Sequence, residues 1–177
     1  MAPASDEETT RWIAELMALC ELYRSAESAG SAEAVSHAGW HTGARIGTST
    51  ADGRMLAYHD SGVEAECVFR EGERPLFNIM STGYGSDTGE RGFAVWSRRP
   101  GVLGAIDDGV TRLEVTDADG DVVRAAIVAH TFAVDVDLGP VPQTIDEVFA
   151  PWEPPELTVR VYGEGGALRY EGPLLTA

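Results

Sequence analysis

The sequence predicts an α+β protein: one N-terminal amphipathic helix, then a mainly antiparallel β-sandwich, in a single domain over residues 1–177. Three observations lead there. A helix-start signal precedes apolar residues at three- and four-residue spacing within 6–29, the apolar period changes to two from residue 44, and no helix-length segment separates the later strands. The last point disfavours parallel βαβ folds, whose strands need long crossovers.

Ser5 followed three residues later by Glu8 forms a capping box, and the acids at 6–8 suit the positive end of a helix dipole. Trp12, Ile13, Leu16, Leu19, Cys20 and Tyr23 then share one helical face, while Arg11, Glu15, Glu21 and Arg24 fall largely elsewhere. The pattern stops before Gly30. Residues 30–43 are small and polar around Trp40, with Gly39 as a breaker, and read as a linker or short second helix. From residue 44 the sandwich begins. Short segments at 44–49, 53–59, 63–69, 75–80 and 92–97 are separated by Ala51-Asp-Gly53, Ser61-Gly62, Glu71-Gly72 and the Gly-rich stretch from Ser81 to Gly92.

The C-terminal half gives the clearest strands. Thr111, Leu113 and Val115 alternate with Arg112, Glu114 and Thr116, which makes one apolar and one wet face. Asp117 to Asp121 supplies a turn in which Gly120 takes a positive φ, and Val122 to Ala129 returns as a nearly wholly apolar strand. Thr131 to Val136 continues it with a bend at His130. A Pro-rich connection from Gly139 to Pro155 leads to a strand carrying Leu157, Val159 and Val161, and Gly163 to Gly166 turns the chain into a last strand near Leu168 to Tyr170.

The order Gly104-Ala-Ile106, Val110 to Val115, Asp119-Gly120, Ala125 to Val128, Phe132-Ala-Val134 and Val159 to Tyr162 is similar to a β-sandwich region found in uncharacterised proteins of GC-rich bacteria. The resemblance covers residues 104–177. It implies the sandwich fold and carries no activity or catalytic residue with it. Many such proteins have a membrane anchor, a feature this sequence does not show.

Composition narrows the function. With 44% apolar and 24% charged residues the chain is globular in type, and no apolar run approaches the roughly 20 residues of a membrane span. The 29 acids against 13 basic residues, every one an arginine, give a net charge of -16. Such a charge argues against nucleic-acid binding, which depends on neutralising phosphates, and favours a basic partner. The N-terminus lacks the basic and apolar regions of a signal peptide, so the expected location is cytoplasmic. Cys20 and Cys67 sit in apolar patterns and read as core thiols.

Motifs for chemistry are weak. Asp117, Asp119 and Asp121 crowd three carboxylates as a calcium loop does, but Gly120 falls at the fourth place of the loop and the flanks read as strands. The competing reading is a hairpin turn, with Asp107 and Asp108 able to join a cation site only if they fold alongside. His37 and His41 have the i, i+4 spacing of zinc ligands, with Gly39 between them and no accompanying Glu. His59 and Asp60 resemble an oriented base, with Cys67 as nucleophile, although the acidic neighbour Glu66 raises a thiol pKa. The run Gly83 to Gly89 opens no helix and is followed by no Lys, so it reads as a connection or binding loop rather than a phosphate cradle. Arg91, Arg98 and Arg99 flank Phe93 and Trp96, the combination enriched at protein interfaces, with a buried strand over Phe93, Ala94 and Val95 as the competing reading.

The expectation is a non-catalytic interaction or structural module that needs no cofactor and binds another protein, a basic one where the charge is used. An immunity- or inhibitor-type protein is its most specific form. Arg91, Phe93, Trp96, Arg98 and Arg99 are the candidate interaction residues, with Trp12 and Leu16 on a helix stripe that offers self-association. The alternative is a small hydrolase or lyase using His59 and Asp60 with Cys67.

Overall fold

The computed structural model describes residues 40–47, 53–60, 64–70, 76–80, 88–98, 101–117, 119–139 and 155–175. The chain divides into two compact units, Met1–Thr82 and Gly83–Ala177.

The first unit holds a four-stranded antiparallel meander. Its strands are β1 (Trp40–Ile46), β2 (Gly53–His59), β3 (Glu64–Phe69) and β4 (Leu76–Met80), paired in chain order. Met55, Ala57, Cys67 and Phe69 form a small core on one face. Leu56 on the opposite face is buried as well, so the middle of the sheet is covered on both sides. That burial takes in an ion pair. Arg54 and Glu66 lie diagonally across β2 and β3, and Arg54 Nε donates to Glu66 Oε1 at 2.7 Å.

The second unit is a sandwich of two antiparallel four-stranded sheets around one core. Its strands are β5 (Phe93–Arg98), β6 (Val102–Ile106), β7 (Val110–Thr116), β8 (Val122–Arg124), β9 (Ala126–Val128), β10 (Thr131–Val134), β11 (Thr158–Gly163) and β12 (Leu168–Pro173). One sheet has the order β5-β6-β10-β9 and the other β12-β11-β7-β8. The inward side chains include Phe93, Val102, Ile106 and Phe132 from the first and Leu113, Val115, Val159 and Val161 from the second. Alternation in β7 and β11 follows from this: one face enters the core while Arg112, Glu114, Thr158 and Arg160 point outward.

The run from Val122 to Val128 changes sheets partway. Buried Ala125 donates its N–H to Leu113 O at 2.9 Å, and the chain then leaves β8 for β9 in the opposite sheet. A strand that turns the corner between sheets presents first one side and then the other to the core, which explains why apolar residues dominate the run, with only Arg124 charged. The next expectation fails. The chain reverses at Ala129 and His130 and β10 pairs antiparallel with β9, where a continuing bend was predicted. Ala129 takes φ +50 there, unusual for a residue with a Cβ, so no Gly, Asn or Asp marked the turn.

The α+β class is overturned for the described residues. They form twelve strands in three antiparallel sheets, and their only helical turns are Gly89–Arg91 and Glu164–Gly166, each of three residues. The helix expected over 6–29, with Trp12 and Leu16, lies outside the described residues. One boundary also moves. Strand structure starts at Trp40, inside the expected 30–43 linker, because His41 and Thr42 complete a ladder with Tyr58 and Ala57. The first four strands hydrogen-bond in chain order as one of the three sheets.

Candidate functional site

Two of the candidate catalytic residues occupy the first sheet's core face and the third stands at a strand end. Cys67 is 1% exposed among Met55, Ala57 and Phe69, and it pairs with Met55 across the ladder. His59 lies four residues further along β2, about 13 Å away at strand rise. Those side chains do not meet. Asp60, just past the end of β2, turns to a different histidine: His41 Nε2 lies 2.7 Å from Asp60 Oδ1, with both groups exposed. The His41 ring also stacks on Tyr58, centroids 5.2 Å apart. The sequence hid this pair because Gly39 and Gly43 masked the start of β1. Glu64 stands opposite Tyr58 in β3, and burial pushes its carboxyl above the ordinary value.

The arginine and aromatic group resolves into separate roles. Phe93 is a core residue, meeting Phe132 edge-on at 6.0 Å and Tyr170 at 5.9 Å. Arg91 is spent inside the molecule. Its guanidinium lies 4.1 Å from the Phe93 ring centroid, and Nη2 donates to Leu174 O at 2.8 Å. It thereby fastens the approach to β5 to the chain leaving β12, the two edge strands on the same side of the sandwich. Trp96 is half-buried at an irregularity between Val95 and Ser97, and Arg98 is exposed. Arg99 lies outside the described residues, as do His37 and Cys20.

The aspartate turn is a hairpin. Asp117 Oδ1 accepts from the backbone N–H groups of Asp119 and Asp121 at 3.0 and 2.9 Å, and Gly120 takes φ +87 as its turn position demands. Asp107 and Asp108 do not join it. The full length of β7, seven residues, separates them from Asp117, and Asp107 is engaged by Thr88 Oγ1 and lies 3.6 Å from Arg169. Among the described residues no three His, Cys, Asp or Glu side chains converge on a common point where a metal could bind.

Charges in this unit are sorted by position. Every arginine from residue 104 on faces a carboxylate. Arg160 donates to Glu171 with Nη2 at 2.8 Å, Arg112 Nε is 3.5 Å from Glu114, Arg169 is near Asp107, and Arg124 stands opposite Glu114 in the ladder. The Glu171 hydrogen bond and charge hold the Arg160 guanidinium above its ordinary value. In contrast Asp108, Asp119, Asp121, Asp135, Asp137, Glu156 and Glu164 are exposed on turns and strand ends, and no arginine among the described residues pairs with them.

No protein-family model matches the chain, and no curated protein or solved structure resembles it significantly. The likeness of residues 104–177 to the bacterial sandwich region therefore rests on sequence pattern alone. No helix among the described residues is long and apolar enough to cross a membrane.

Proposed function

We propose that this protein is a non-catalytic docking module for a basic partner protein, which it meets through carboxylates on the turns and strand ends of the C-terminal sandwich. One observation carries the reading. Seven exposed acids there have no arginine partner among the described residues, while the arginines of the same region are tied to Glu114, Glu171 and Asp107. The negative field is thus left uncancelled where a partner approaches, as suits electrostatic steering. Arg91 and Phe93 are withdrawn from the interaction set because both serve the sandwich interior. Within the same reading, an inhibitor of a basic protein uses the charge most directly.

The test uses the full chain and a polyarginine peptide as probe, with binding measured from about 50 to 500 mM salt, a range that shortens the screening length several-fold. Affinity falls steeply with salt, and falls further when Asp119, Asp121, Asp135 and Asp137 are changed together to Asn. Affinity indifferent to both changes removes the acidic surface from the function.

A further inference from the structure

We infer that the outer face of the β12-β11-β7-β8 sheet is a self-association surface, and that its occupant is the same face of a second copy of this chain. The argument starts from the ladder. Register places Arg124, Glu114, Arg160 and Glu171 side by side in one row across β8, β7, β11 and β12. The row reads plus, minus, plus, minus. A two-fold axis parallel to the strands, running between β7 and β11, reverses the order of a facing copy, so each charge meets its opposite: Arg124 meets Glu171 of the other copy and Glu114 meets Arg160.

The neighbouring rows obey the same operation. Towards the aspartate turn the row is Val122, Thr116, Thr158 and Pro173, so reversal brings Val122 to Pro173 and Thr116 to Thr158. On the other side Arg112 pairs with Tyr162, and within one chain the Arg112 guanidinium already lies 3.7 Å from the Tyr162 ring centroid. Reversal sets each guanidinium of that row over the other copy's tyrosine. Val122 is 57% exposed and Leu168, beside Tyr162, is 52% exposed, so apolar surface is left at both margins of the face.

Electrostatics singles out this face. A chain of charge -16 repels its own copy, and the turns of this unit carry the uncompensated acids. On the face, three arginines (Arg112, Arg124 and Arg160) stand with two glutamates (Glu114 and Glu171), so its charge nearly cancels, and a second copy meets the alternating row rather than the acids of the turns. A four-stranded face of this length measures roughly 20 Å on a side. That is small for a specific interface, so the dimer is a weak one, with dissociation in the micromolar range or above.

Sedimentation of the full chain over a concentration series, at about 150 mM salt to screen the long-range repulsion, decides the matter. The wild type shifts from monomer to dimer as concentration rises. Arg160→Glu puts like charges opposite each other and weakens dimerisation about tenfold or more. Glu114→Arg with Arg160→Glu restores it, because the row then reads plus, plus, minus, minus and is again complementary on reversal. Thr158→Arg, at an exposed position, serves as a second disrupting variant if Arg160→Glu unfolds, and circular dichroism monitors the fold of each. A wild type that stays monomeric at every concentration overturns the proposal. So does a dimer that ignores the disrupting variants, or a double swap that does not recover.

Discussion

Gly104→Ala tests the packing logic of the sandwich at its most crowded point. Gly104 lies in β6, opposite Val95 of β5 and Phe132 of β10. A Cβ placed there would come within 2.7 Å of Phe132 Cε1 and closer still to the Ala94 carbonyl oxygen, so ring and backbone must both retreat. Overpacking of a tight core costs about 1–3 kcal/mol, and an obstacle made of backbone puts this substitution at the upper end, near 3 kcal/mol. For a chain of this size that is a melting temperature lower by roughly 6–12 °C. Gly109→Ala is the control. Gly109 has φ +83 with nothing within 4 Å of its Cβ position, so it carries the left-handed strain alone, about 1 kcal/mol. Urea unfolding followed by circular dichroism and tryptophan fluorescence measures both. If Gly104→Ala is no worse than Gly109→Ala, steric exclusion at β6 is not what requires glycine there.

Arg91→Ala loses the Leu174 hydrogen bond and the Phe93 contact, a cost of about 2 kcal/mol, and exposes the C-terminal end to earlier proteolysis. Arg91→Lys recovers less than half in the same unfolding assay, because an ammonium cannot stack and bridge together. Arg54→Ala or Glu66→Ala strands a buried charge at about 3–5 kcal/mol, whereas Arg54→Met with Glu66→Leu recovers most of it; additive single costs in a double-mutant cycle would contradict the pairing. For Glu64, burial raises the folded pKa above 4.5, so its proton is held more tightly in the fold. Its contribution is fully present below the unfolded value and is lost as pH rises through the folded one. Glu64→Gln therefore gains stability relative to wild type between acid and neutral pH, and equal urea midpoints for the pair at pH 4 and pH 7 would count against it.

Segments with strict alternation are legible from composition. The sequence alone determines β7 and β11, whose Leu113, Val115, Val159 and Val161 repeat at period two, and the Asp117 to Asp121 hairpin, whose Asp and Gly chemistry is local. It also determines the imbalance of charge. β6 was missed because its Val-Leu-Gly-Ala-Ile run has no polar side: Val102 and Ile106 enter the core while Leu103 and Ala105 are buried on the opposite face, so burial on both faces erases the alternation.

Only the tertiary structure decided which partner each polar group takes. Asp60 pairs with His41 across the β1–β2 ladder instead of orienting the adjacent His59, and Glu66 finds Arg54 on a diagonal. Arg91 reaches Leu174, 83 residues away, and so joins the interior rather than the surface. Such pairings depend on register and on which sheet a strand enters, as where Ala125 carries the chain from β8 to β9. Those choices are made by long-range strand pairing, whereas the period of a strand and the turn beside it are set by neighbouring residues.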